Sequence, residues 1–319
     1  MLRRSPFGSP ATQPSADRMR GGLGPRGQSV FERLFGQAPQ PAAPVLQREA
    51  PIIAVASGKG GTGKSFLTTS LAVLCHGRAL RTAIVDCDFG LACDHLLLGV
   101  KPTLHLQHVL QRRARLDEIL AVTPHGPTLV PGAAGVRQMA RLTDPEIEAF
   151  GRTLGELASA HDAVLLDIGA GLSPQNVLTC CAADFVVLVT QPEIAALTDA
   201  YAVIKTLATL GAAKRIGIVV NRVLEASHGQ STFEKLRDVA SRHTGLELCD
   251  LGALPEDPLV TQRRLGQAPL CVTEPQSPTV HALQRVCDRI LALVGPMRPR
   301  ERAADATVAA RFAEFQRVV

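Results

Sequence analysis

The sequence predicts an α/β fold: a mostly parallel central sheet with helices on both faces. Three observations predict it. From residue 51 onward, short apolar runs alternate with segments of helical length, the pattern of parallel strands joined by crossover helices. The runs are continuously apolar, as strands covered on both faces require. The chemically interesting polar residues stand at the carboxyl ends of those runs, where ligands of open parallel sheets bind.

The first strand is expected at Ile52–Ser57. It runs into Gly58-Lys59-Gly60-Gly61-Thr62-Gly63-Lys64-Ser65, which fits G-x-x-x-x-G-K-[ST] and precedes a helix expected over 65–77. Further strands are expected at Thr82–Asp86, Thr128–Pro131, Ala163–Asp167, Phe185–Thr190, Ile216–Asn221 and Leu248–Leu254. Helices are expected at 144–160, 173–182, 197–211, 230–244 and 277–294. No internal repeat is visible.

The chain divides into three parts. Residues 1–50 are rich in Pro, Gly, Ser, Gln and Ala and are expected to be a disordered arm. Seven arginines there face only Asp17, Glu32 and Glu49. Within the arm, residues 29–36 contain Val30, Phe31, Leu34 and Phe35 on one helical face, a docking segment for a partner or for the chain's own body. Residues 51–295 form the folded domain. Residues 296–319 are a linker and a short amphipathic helix over 305–319, with Val308, Phe312, Phe315 and Val319 on one face. That helix suits a membrane surface or a protein surface.

Composition narrows the class. At 46% hydrophobic over 319 residues, the chain can fill a sizeable core. It has no uninterrupted apolar run of 18 residues, so no membrane span is expected. Its N-terminus lacks the apolar stretch of a secretory signal. The eight cysteines form no C-x-x-C pair and mostly sit in apolar stretches, as reduced thiols of a cytoplasmic protein do.

The loop at 58–65 is a phosphate cradle. Its glycines let backbone N–H groups crowd around phosphate oxygens, and the following helix points its positive end at them. Lys64 would reach the outer phosphates, and the Ser65 hydroxyl would sit on Mg²⁺. Asp167 ends a strand and can hold Mg²⁺ through water, opposite Ser65. Asp86 and Asp88 end another strand, where a carboxylate can orient an attacking water or simply make an Asx turn. Asn221 offers a donor and an acceptor, which suits the N6/N7 edge of adenine. Pro255, Glu256 and Asp257 follow the last strand and could wall the base. Lys59 exceeds what such a loop needs and suggests a site completed by a second subunit.

Together these residues resemble the MinD/ParA family of P-loop ATPases over residues 51–295. Lys59–Ser65 matches that family's K-G-G-x-G-K-[ST]. Asp167-Ile168-Gly169-Ala170-Gly171-Leu172-Ser173, Gln191-Pro192-Glu193 and Val219-Val220-Asn221-Arg222-Val223 resemble blocks of its flagellar-number (FlhG/FleN) subgroup. The resemblance implies that Lys59 crosses to a partner's phosphates and that Asp88 positions the hydrolytic water. It implies that ATP closes a homodimer and that slow hydrolysis, stimulated by a partner protein, reopens it. It also implies a cytoplasmic protein that visits the membrane or the nucleoid, to place a flagellum or a division site.

One stretch departs from the pattern. Relatives commonly read D-x-G-L-x-N-x-D, with Asn and Asp where this chain has Cys93 and His95; an acid stands one place early, as Asp94. Other readings follow from the same scaffold. A partition ATPase could grip DNA through Lys235, Arg237, Arg242, Arg263 and Arg264. A regulator with little hydrolysis is another. An iron–sulfur carrier would need paired cysteines, and a tyrosine kinase of this scaffold would need more tyrosines than Tyr201.

Overall fold

The computed structural model describes residues 50–132, 142–211, 215–264 and 266–295. The basic arm, the segment at 29–36 and the helix expected at 305–319 lie outside the described residues.

The strands are β1 (Ile52–Ala56), β2 (Thr82–Cys87), β3 (Ala121–Val122), β4 (Thr128–Val130), β5 (Ala163–Ile168), β6 (Phe185–Thr190), β7 (Arg215–Val223) and β8 (Glu247–Pro255). They form one sheet in the order β3-β4-β2-β5-β1-β6-β7-β8. Every neighbouring pair is parallel except β3 with β4. The chain leaves β1 toward one edge, returns at β5 and crosses to the other side at β6. This reversal opens crevices beside the carboxyl end of β1.

The long helices are α1 (Lys64–Gly77), α5 (Asp144–Ala160), α6 (Pro174–Ala182), α7 (Ile194–Thr209), α8 (Ala226–His243) and α11 (Pro278–Val294). Successive residues of β1 face opposite layers. Ile53 and Val55 pack with Leu67 and Leu71 of α1 and with Leu283 and Val286 of α11. Ile52 and Ala54 share the other layer with Phe150 and Leu154 of α5 and Ile204 of α7. Both faces of β1, β5 and β6 are therefore dry, which explains their unbroken apolar character.

The structure adds elements that the sequence pattern does not announce. β3 has two residues, with Val122 exposed, too short to show a period. Helices of four or five residues, α2 (Asp94–Leu97), α3 (Leu106–Leu110), α4 (Leu116–Ile119), α9 (Pro258–Thr261) and α10 (Leu270–Thr273), occupy expected loops. β7 runs to Val223, so Asn221 lies inside a strand instead of closing it. Helices α7 and α8 begin three and four residues earlier than expected, at Ile194 and Ala226. No helix among the described residues is long and apolar enough to cross a membrane.

Candidate functional site

The glycine loop joins β1 to α1 in the crevice between β5 and β6. Gly63 has φ 90°, and a Cβ there would come within 2.2 Å of the Asn221 amide nitrogen. Gly58 packs so closely on α7 that a Cβ would fall 2.4 Å from the Asp199 carbonyl. These are close approaches that only glycine permits. Helix α1 starts without a side-chain cap. By contrast, α5 carries a capping box from Thr143 and Glu146, and Ser277 caps α11. The first N–H groups of α1 are left to the loop, as an anion site requires. The Thr62 hydroxyl is buried there with no partner among the described residues.

Beneath the loop lie three buried carboxylates. Parallel pairing of β2 with β5 sets Asp86 directly beside Asp167. Asp94 begins α2, and its N–H donates to Asp86 Oδ2 at 3.1 Å. One oxygen of each carboxylate lies within 4.8 Å of the others. Asp167 receives the Lys64 ammonium at 3.0 Å, the Ser65 hydroxyl at 2.6 Å and the Thr68 hydroxyl at 3.0 Å. Neither oxygen of Asp94 has a partner among the described residues.

The electrostatics follow from that crowding. Burial opposes the charge on Lys64, but Asp167 outweighs it and holds the lysine pKa above its ordinary value. Burial, then the charge of Asp167, pushes the Asp86 carboxyl up to about 7. Burial pushes Asp94 well above the carboxylate range, with Asp167 and Asp86 adding to the effect. One ammonium thus faces three acids. The donor set of a serine hydroxyl and carboxylates, with Asp94 uncompensated, fits a hard divalent cation such as Mg²⁺. Ser65 and Asp167 would hold it, and the ion would supply positive charge against phosphate oxygens.

The remaining predicted residues fall around this centre. Lys59 pairs with Glu193 at 2.9 Å, both side chains being well exposed. Asp88 accepts from the Gly90 and Leu91 N–H groups at 3.1 and 2.9 Å, an Asx-turn arrangement. Asn221 donates to the Thr62 carbonyl at 2.7 Å and accepts from the Arg222 N–H, so in this structure its amide braces the loop. It lines a cavity of about 190 Å³ with Gly61, Phe66, Arg222, Pro255 and Glu256. Cys93 is partly buried against Ser65; burial raises its pKa, opposed by a hydrogen bond with Ser65. All eight cysteines are free. On the basic surface, Arg237 pairs with Asp238, and Arg263 donates to the Gln267 and Ala268 carbonyls.

Thr68 carries no motif signal of its own, and Glu193 is marked in the sequence only by the Gln191-Pro192-Glu193 block. That Asp94 joins the buried acids is signalled only by the acid standing one place early.

The parallel sheet, the uncapped helix and the glycine loop over buried acids define a P-loop nucleotide-binding protein. The model of the CobQ/CobB/MinD/ParA nucleotide-binding domain matches residues 53–269. The chain belongs to this family and is a P-loop ATPase of the MinD/ParA type. It is 30% identical to the antiactivator FleN of Pseudomonas aeruginosa over 249 residues, 78% of this chain and 89% of that one. It is 34% identical to the flagellum site-determining protein YlxH of Helicobacter pylori over 210 residues, 65% of this chain and 70% of that one. Among solved structures it is similar to the septum site-determining protein MinD of Pyrococcus horikoshii complexed with Mg-ADP. The TM-score is 0.64 at 26% identity, covering 77% of this chain and 98% of that one.

Proposed function

We propose that this chain is an ATP-dependent dimerising switch that positions or counts a cellular structure, a flagellum or a division site. It hydrolyses ATP to ADP and phosphate when a partner protein stimulates it. The observation that carries this reading is the division of labour between two lysines of one loop. Lys64 is buried on Asp167 and serves the interior. Lys59 stands exposed and is paired with Glu193. Exposed Leu91 and Leu172 come from the loops after β2 and β5, and exposed Ile194 opens α7 just after β6. They give the same edge of the sheet apolar surface that a second copy can cover.

In this reading Lys64 leaves Asp167 for the phosphates, and Lys59 leaves Glu193 for the partner's phosphates. Ser65 and Asp167 would hold Mg²⁺, which would supply positive charge against the phosphates. Asp88 gives up its turn contacts to orient the attacking water; phosphoryl transfer asks for little beyond such positioning. Asn221 and Pro255 border the base. Residues 51–295 act as the ATPase domain. The arm at 1–50 meets the partner, and the helix at 305–319 meets a membrane. The similarity to YlxH and FleN supports the flagellar branch.

Multiple-turnover phosphate release tests the enzymatic part. Wild type should turn over and Lys64→Ala should not; equal rates would end the reading. ATP-dependent binding to acidic liposomes supports the membrane arm. ATP-dependent, salt-sensitive binding to random DNA would replace that arm with a partition role.

A further inference from the structure

We propose that Asp94 is a third carboxylate of the divalent-cation site, so that Asp86, Asp94 and Asp167 together hold a cation before nucleotide arrives. The inference rests on the reading of Ser65 and Asp167 as a cation site, and it adds a residue where the chain departs from its relatives.

Four observations carry it. Asp94 is fully buried, and neither of its oxygens has a partner among the described residues. A carboxyl so placed costs stability unless something answers it. Its position is not accidental slack: its own N–H is fixed on Asp86, and strand pairing fixes Asp86 on Asp167. Finally, oxygens of the three residues cluster within 4.8 Å. Opposite ligands of Mg²⁺ lie about 4.2 Å apart. The cluster is therefore slightly open for direct coordination by all three and well sized for an ion held partly through water. Among the described residues Lys64 pairs with Asp167 at 3.0 Å and with neither Asp86 nor Asp94. Those two acids are left for a divalent ion while Lys64 stays on Asp167.

Mn²⁺, the paramagnetic stand-in for Mg²⁺, provides the test. The nucleotide-free full-length protein is titrated with Mn²⁺ and free ion is read by electron paramagnetic resonance. Wild type should bind one Mn²⁺ that Mg²⁺ displaces. Asp94→Asn and Asp94→Ser should each weaken it by about 10- to 100-fold, the usual effect of losing such a group. Wild type that binds no Mn²⁺ without nucleotide overturns the proposal, whatever the variants do. So do variants that bind as tightly as wild type. A fluorescent ADP analogue is measured in parallel. Mn²⁺ binding without nucleotide binding would keep this inference and sink the proposed function; nucleotide binding with unchanged Mn²⁺ affinity would do the reverse.

Discussion

The loop after β1 and the loop after β2 flank strand β5 and meet at one site, yet they are held in different ways. The first is locked by shape. Gly58 and Gly63 leave no room for a side chain, and Asn221 braces the Thr62 carbonyl from a neighbouring strand. The second is held by charge and by its own turn. Asp88 folds back on Gly90 and Leu91, and the Asp94 carboxyl is buried with no partner among the described residues. The β1 loop fits the expected K-G-G-x-G-K-[ST], whereas the β2 loop carries Cys93 and His95 where Asn and Asp are expected. A cradle fixed by packing is indifferent to what is bound, whereas a segment resting on unbalanced carboxylates responds to cations and protons. That difference makes the β2 loop the natural place for a switch.

The comparison can be broken most severely at the rigid loop. Gly63→Ala forces a side chain onto a positive-φ position and into Asn221. It should cost about 1–3 kcal/mol and abolish binding of a fluorescent ATP analogue; unchanged unfolding and binding would show that the loop is not shape-locked. Next comes Lys64→Ala, which strips the buried partner from Asp167. A charge-assisted bond contributes about 1.5–3 kcal/mol, so ATP affinity should fall by at least tenfold in an equilibrium titration.

The β2 loop makes a pH prediction. A carboxyl whose pKa rises on folding holds its proton more tightly in the folded chain than in the unfolded one. Its contribution is most favourable below the ordinary carboxyl range and is lost as pH rises toward the folded value, about 7 for Asp86 and also raised for Asp94. In a chelator, Asp94→Asn should therefore match wild type near pH 4 and exceed its stability at pH 8. The gain should be on the order of 1–3 kcal/mol, the cost of a buried polar group without a partner. Denaturant curves at the two pH values check this, and a variant less stable at pH 8 would contradict it.

The smallest effect is expected at Glu193→Ala. Its pair with Lys59 is exposed, and such pairs contribute about 0–1 kcal/mol. Melting should hardly move, while ATP-driven association should become easier because Lys59 starts free. Weaker association would mean that Glu193 supports the assembled state.

Much of this was legible in the residues. Seven of the eight strands announce themselves as apolar runs, every residue of β1, β2, β5 and β6 being buried, and the glycine loop is legible because few other sequences fit a phosphate. Asp167 and Asp86 are readable as strand ends, and their pairing explains why they meet. The rest hides for physical reasons. Two-residue β3 and the four-residue helices carry too few positions to show a period. Glu193 pairs with Lys59 across 134 positions of chain, which no local pattern encodes. Asp94 looks like a polar loop residue until α2 turns it inward. Asn221 reads as a base contact from its type alone, whereas here its amide is spent on the loop.

The central claim is that ATP closes two copies around Lys59. The direct measurement is the solution mass of Asp88→Ala, by light scattering, with ATP and Mg²⁺. Asp88→Ala should show twice the monomer mass with ATP, the monomer mass with ADP, and a monomer in both when Lys59→Ala is added. An Asp88→Ala chain that binds ATP tightly and stays monomeric would contradict it.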